Sequence, residues 1–327
     1  MISREIIRAN VEHTPAPRPG LTYTRPGKCN DIVTASAGEP GTYRQKRWIE
    51  GGFEYYDDMW GNIWRRMKDG CLGGEVWQPV IEDWDHADRF EMPVYDRAAA
   101  ADHFRAGFAG DTTGERFRVA NLPGWIFAQA RYIRRLDNYL MDMVLYPEKL
   151  HHLHRQMAVL YETVILAASD AGAEAIFFCE DMGTQSGLLF SPAMWDDYFR
   201  DLYTRLFALA HECGMKVFMH SCGCNREIIE PLLRAGVNCF QFDQPTVYDF
   251  AELAAQLRQY RAALWAPVDI QKIMPTGDRQ LIEAGAQAMF EAFRGSLIFK
   301  NYGDLQGIGV KPEWDDWVYD KAATFQY

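Results

Sequence analysis

Three stretches of the chain share one build, and that build limits the available folds more than any other feature. "DAGAEAIFFCED" (170–181), "ECGMKVFMHSCG" (212–223) and "RAGVNCFQFDQP" (234–245) each run from a glycine through an apolar segment into polar residues. Gly172, Gly214 and Gly236 each follow a helical pattern, as expected of left-handed helix caps. The apolar runs are nearly continuous rather than alternating, which suits parallel strands covered on both faces. Helical patterns separate them. Ser191-Pro192 supplies an N-cap and a first-turn proline before Trp195, Phe199, Leu202, Leu206 and Leu209. Pro147 opens a second helix with Leu150, Leu153, Met157, Leu160 and Val164 on one face, and Ile228, Ile229, Leu232 and Leu233 mark a shorter one. Further strand candidates are "RFRVANL" (116–122), "AALWAPVDI" (262–270) and "SLIFKNYG" (296–303).

Strands alternating with helices across short links make a parallel sheet. The alternation persists almost to the last residue and no glycine-rich phosphate loop follows a strand. A closed (β/α)8 TIM barrel is therefore expected over an open doubly wound sheet, with an irregular N-terminal extension. Six strands are evident, so two more must come from the N-terminal third. Residues 116–327 should form the main part of the barrel. Residues 1–115 should supply an arm and irregular segments that pack on it or complete it, all within one structural domain. Residues 14–42, rich in Pro, Gly and Thr, read as a long loop or arm, and 50–115 as short strands and turns. In that region Asp57-Asp58 read as part of a solvated loop.

With 327 residues, 48% of them hydrophobic, the chain can bury a large core. The net charge of −11, without a Lys/Arg run, argues against nucleic acid or an anionic membrane as partner. No apolar stretch approaches the roughly 20 residues that span a bilayer, and the opening "ISREIIRANVEH" is a charged amphipathic segment. Seven scattered cysteines argue against a disulfide framework. A reducing, cytoplasmic setting is the expectation. Aromatic residues make up 14%, including ten Trp, which suits a well-packed core or an aromatic-lined pocket.

In such barrels the chemistry sits where strands end and loops begin, on one face. Those positions hold Asn121, then Cys179-Glu180-Asp181, then His220-Ser221-Cys222, then Asp243, Asp269 with Gln271, and Asn301-Tyr302. His220 and Cys222 stand at i and i+2 of a strand end and face the same way. Imidazole and thiolate are both good zinc ligands, although an isolated His-x-Cys is more often a buried cysteine beside a structural histidine. Glu180, Asp243, Cys179 and Cys224 are candidates to complete a set. Glu180 and Asp181 also suit acid–base work. Asn121, Gln185, Asp269, Gln271 and Tyr302 are candidates for binding substrate. Cys239, at the start of its strand, and Cys213, before a capping glycine, read as structural; Cys29 and Cys71 carry no argument.

Several blocks resemble the uroporphyrinogen decarboxylase superfamily: "MISREIIRANVEH", "EYYDDMWGNIWRR", "EDMGTQSGLLFSPAMWDDYF", "HECGMKVFMHSCGCNREIIEPLLRAGVNCFQFDQP" and "APVDIQ". Their order and spacing cover nearly the whole chain. The resemblance implies a (β/α)8 barrel. It also implies membership of a group that contains both decarboxylases and zinc-dependent methylcobalamin:thiol methyltransferases. The decarboxylases grip porphyrinogen carboxylates with an Arg-Gln-Ala-Gly-Arg block; here the region reads "RPGLTYTRPGKCNDIV". The thiol methyltransferases bind zinc through a His-x-Cys pair and a later Cys. His220 and Cys222 match the pair, but no cysteine follows Cys239. The resemblance therefore implies a zinc-dependent methyltransferase acting with methylcobalamin on a separate corrinoid protein. Its substrate would be a small molecule. His220 and Cys222 would be ligands, with Asp243 or Glu180 completing the set. The alternative is a metal-free decarboxylase of a small carboxylic acid, with Asp181 as the acid–base residue.

Overall fold

Twelve strands and eleven helices follow one another along the chain in the computed structural model, which describes residues 1–41, 43–68 and 73–327. Helix α1 (Ser3–Glu12) leads into β1 (Gly20–Thr22) and β2 (Ile32–Ser36). Four antiparallel strands follow: β3 (Arg47–Glu50), β4 (Phe53–Asp57), β5 (Ile63–Met67) and β6 (Glu75–Gln78). After α2 (Arg97–Phe108) come β7 (Phe117–Asn121), then α3 (Ile126–Arg134), α4 (Leu136–Leu145) and α5 (Pro147–Asp170). The rest alternates: β8 (Ala175–Cys179), α6 (Pro192–Trp195), α7 (Asp201–Glu212), β9 (Lys216–His220), α8 (Arg226–Ala235), β10 (Cys239–Gln241), α9 (Phe250–Tyr260), β11 (Ala263–Ala266), α10 (Arg279–Ala292), β12 (Leu297–Lys300) and α11 (Pro312–Ala323).

Eight strands pair in parallel in the order β1-β12-β11-β10-β9-β8-β7-β2. The two outermost approach each other through Asp31 N–H on Leu21 O (2.7 Å) and Tyr23 N–H on Cys29 O (3.1 Å), so the ring nearly closes into a (β/α)8 barrel. Both missing strands lie within 14–42, which corrects the expectation of a loop or arm there. They are three and five residues long and lie among Pro, Gly and Thr, and position 20 takes glycine because a Cβ there would meet Ile7 Cδ1 at 2.6 Å. Among the three predicted caps Gly172, Gly214 and Gly236 all have positive φ. Ser191 Oγ accepts from Met194 N–H at 3.2 Å, and Pro147 opens the predicted long helix. Residues 196–200 widen into a single π-turn between α6 and α7, which the apolar spacing did not foretell.

Alternate strand residues fill the lumen: Ile32, Phe117, Val119, Ala175, Phe218, Cys239, Ala263, Trp265 and Ile298 are buried together with Ile7 and Val11 of α1. Helix α1 thus plugs the N-terminal end, its apolar side turned into the barrel. The opposite faces of the strands meet the helices; there Trp125 stacks on Phe178 (4.2 Å between centroids) beside Phe207 and Tyr161. No helix among the described residues is long and apolar enough to cross a membrane. Cys71 lies outside the described residues.

Candidate metal centre

The register of the barrel places one polar layer at its C-terminal mouth. His220 is level with Cys179 on one side and Gln241 on the other, and Lys300 ends β12 two residues beyond the buried Ile298. Two positions past each strand end, chain alternation brings Asp181, Cys222 and Asp243 to the same side. His220 Nε2 lies 3.4 Å from Cys222 Sγ and 3.4 Å from Asp181 Oδ1. Asp181, His220 and Cys222 are the one group of at least three His, Cys, Asp or Glu ligand atoms mutually within 4.8 Å among the described residues.

The other edge of the imidazole is fixed. Lys300 Nζ donates to Asp243 Oδ1 (2.8 Å), and Gln241 Nε2 donates to the same oxygen (2.6 Å). The amide oxygen of Gln241 therefore faces His220 Nδ1 at 2.6 Å and must accept from it. The ring is held as its Nδ1–H form, which leaves Nε2 aimed at Cys222 and Asp181. Asp181 is anchored as well: Oδ1 accepts from Cys222 N–H (2.8 Å), while Arg131 donates to its backbone oxygen (3.1 Å) and sits 3.6 Å from Oδ2. Burial alone would raise the Asp181 carboxyl, but His220, the Cys222 amide and the Arg131 charge hold it well below the usual carboxylate range. Burial likewise opposes a charged His220, yet Asp181 and Cys222 raise its pKa well above the ordinary value. The site attracts positive charge at Nε2.

Glu180 reaches the same end of the barrel but points the other way, out into the helix layer. Its Oε1 accepts from Phe127 N–H (3.0 Å) and Ala128 N–H (3.3 Å) at the start of α3, and burial pushes the carboxyl up to about 8. It is a helix-capping acid, remote in orientation from the sulfur and imidazole. Asp243 Oδ2 stands 4.0 Å from His220 Nδ1, on the side occupied by Gln241, and outside the three-residue group. The structure thus seats Asp181 with His220 and Cys222, and Glu180 and Asp243 behind or beside them. Cys224 stands outside the group too; its N–H donates to Thr184 O at 2.7 Å.

Of the other sequence candidates, Asn121 lies at the mouth with its Oδ1 buried and unpartnered, and Tyr302 is half-buried with Lys300 Nζ 5.8 Å from its ring centre. Asp269 instead organises a turn, accepting from Gln271 N–H (2.9 Å), Lys272 N–H (2.7 Å) and Thr246 Oγ1. Gln271 and Gln185 are exposed on loops. Asp58 also departs from the solvated-loop reading: it accepts from Trp60 N–H, Asn62 N–H, Asn62 Nδ2 and Trp64 Nε1. Gln241, Lys300 and Arg131 escaped the sequence reading. The first two were open to it, each a polar residue ending an apolar strand on the lumen side; Arg131, on a helix, gave no signal.

Between the C-terminal ends of β2 and β7 and the antiparallel sheet, a cavity of about 630 Å³ is lined by Asn121, Gln129 and a set of aromatic side chains, and not by Asp181, His220 or Cys222. Its wall residue Tyr132 accepts from Arg131 Nη2 at 3.2 Å, which ties it to Asp181.

A parallel (β/α)8 barrel with acid, imidazole and thiol converging at its C-terminal mouth has the layout of an enzyme whose site can take a metal. The sequence profile described as "Uroporphyrinogen decarboxylase (URO-D)" matches residues 124–301, more than half of the chain, and the chain belongs to that family. No curated protein matches it in sequence. Among solved structures, a methyltransferase from Methanosarcina mazei superposes with a TM-score of 0.66 at 11% identity, covering 99% of this chain and 98% of the other. A D-psicose 3-epimerase from Clostridium cellulolyticum H10 gives 0.44 at 8% identity, over 68% and 82% of the two chains. An endo-beta-1,4-xylanase from Gloeophyllum trabeum gives 0.43 at 9%, over 71% and 82%.

Proposed function

We propose that the chain is a zinc-dependent methyltransferase of the uroporphyrinogen decarboxylase family. It moves a methyl group between a small methylated compound or thiol and cobalamin carried by a separate corrinoid protein in the cytoplasm. The observation that carries this is the convergence of Asp181, His220 and Cys222. Zinc bonds of about 2.0–2.3 Å in a tetrahedron put neighbouring ligands roughly 3.4–3.6 Å apart, and both distances from His220 Nε2 are 3.4 Å. Three protein donors with one position open is the pattern of catalytic rather than structural zinc. Methyl transfer is supported by the likeness, over 99% of this chain, to the methyltransferase from Methanosarcina mazei.

Bound there, zinc would lower the pKa of a coordinated thiol or hydroxyl, or polarise the atom that bears the methyl group. The chain's own residues do the rest. Gln241 fixes the imidazole tautomer, Arg131 and the Cys222 amide fix the carboxylate, and the cavity linked to Asp181 through Tyr132 and Arg131 receives the small molecule. The metal-free decarboxylase reading is the weaker one. Asp181, held ionised, is a poor proton donor, and Arg18 and Arg25, the two arginines within the stretch that stands where the arginine block would be, are paired to Asp31 and to Asp315 and Asp316.

Elemental analysis of protein purified under reducing conditions tests the proposal, together with methyl transfer to or from free cobalamin. His220→Ala and Cys222→Ser should each lower zinc content and activity together, by more than the roughly 10–100-fold typical of losing an outer-shell partner, with the circular dichroism unchanged. Cys224→Ser should keep both. Metal-free wild type with a fully active Cys222→Ser variant would overturn it.

A further inference from the structure

The cavity between the barrel and the antiparallel sheet has a composition that selects its ligand. Six aromatic side chains line it: Tyr43, Tyr56, Trp60, Trp64, Tyr95 and Tyr132. Two carboxylates also line it, and no Lys, Arg or His does. Asp58 spends its oxygens on four N–H donors. Glu39 is different: it is exposed at the rim, no ion pair or hydrogen bond engages it among the described residues, and its charge reaches the hydroxyls of both Tyr43 and Tyr95. The cations around it touch only two of the rings. Arg47 and Arg66 pair with Glu54 and lie 5.0 and 5.9 Å from the Tyr56 ring centre, and Arg131 holds Asp181 and lies 5.0 Å from that of Tyr132. Among the described residues no cation lies over Tyr43, Trp60, Trp64 or Tyr95. The rings themselves are packed into a wall: Trp64 stacks on Tyr56 (6.1 Å) and meets Tyr132 edge-on (4.7 Å). Deeper in, Gln129 is 6% exposed and its Nε2 has no partner.

Electron-rich ring faces, a free carboxylate and the lack of any lining cation favour an organic cation and disfavour an anion. The unpartnered Gln129 N–H asks for an oxygen acceptor on the same molecule. We propose that this cavity binds a small N-methylated ammonium compound carrying an oxygen acceptor, its onium group against the aromatic wall and Glu39, its oxygen on Gln129. Only the assignment of this molecule as the methyl donor rests on the methyltransferase reading; the binding does not.

Calorimetric titration of chelator-treated full-length protein with choline, with its neutral isostere 3,3-dimethylbutan-1-ol, and with methoxybenzene tests the site. Choline should bind at least about ten-fold more tightly than the isostere, since each ring contact favours the charge. Glu39→Gln, at an exposed unpaired position that should not affect folding, should weaken choline about three-fold and leave the alcohol unchanged. Equal binding of choline and the alcohol, no binding of choline, or tighter binding of methoxybenzene would each overturn the proposal. Because no metal is present in the titration, a cation that binds to a protein later found to hold no zinc removes the methyltransferase reading alone. Zinc in the wild type without choline binding removes this inference alone.

Discussion

At the scale of single residues, the orientation of His220 is set by a hydrogen-bond chain that starts 80 residues downstream in sequence, at Lys300. Replacing Gln241 with Leu removes the acceptor at Nδ1 and frees the ring to turn. Zinc affinity measured by chelator competition should fall about 10–100-fold, with little change in stability. Lys300→Met, two hydrogen bonds further out through Asp243, should act in the same direction more weakly. Glu180→Gln should leave zinc content intact, since Glu180 faces α3. The pairing of His220 with Cys222 was legible because side chains two apart on a strand share a face. The same rule, applied one strand earlier, separates Glu180 from Asp181: Cys179 and Asp181 share the lumen side and Glu180 the other. The third member of the cluster was thus readable, but the two acids were treated as a pair. What sequence could not supply was distance, which alone decides between Asp181 and Asp243.

Among the elements, α5 shows how burial becomes pH dependence. His154 is fully buried there, its Nε2 3.1 Å from the Tyr139 hydroxyl, and Tyr198 and Phe199 pack around it. Burial drives its pKa from the usual 6.5 down to about 3. Between those values the unfolded chain takes up a proton that the folded chain refuses. Stability should therefore fall as the pH drops, by up to about 1.4 kcal/mol per pH unit from this residue. Urea unfolding at pH 7 and pH 5 should show that slope, and His154→Phe should flatten it. Helices α5, α7 and α8 were visible from their periodicity because each has a buried stripe. For the antiparallel strands β4–β6 only the presence of short strands within 50–115 was legible and not their bounds, because their residues are half-buried or exposed on both faces. Without a buried face there is no alternation to read.

For the whole molecule, the weak point is the seam between β1 and β2, and one acid secures it. Asp31 is fully buried and accepts from Leu21 N–H (2.8 Å), Ser3 Oγ (2.6 Å) and both terminal nitrogens of Arg18 (2.7 and 2.9 Å). Burial opposes its charge, but these donors hold its carboxyl below the usual range. The stability it confers is present above the unfolded carboxylate pKa and is lost as the pH falls through the folded one. Asp31→Asn should cost about 3 kcal/mol in urea unfolding at pH 7, by stranding a largely buried guanidinium. The seam also fixes an order of events. Thr22 must find Lys300, 278 positions away, before the ring can shut. Until it does, β12 is a bare strand edge able to pair with another chain. Closing so long a loop is slow. The interval between synthesis of β12 and its capture of β1 is then when this chain is most exposed to aggregation, and any mutation that loosens Asp31 lengthens it.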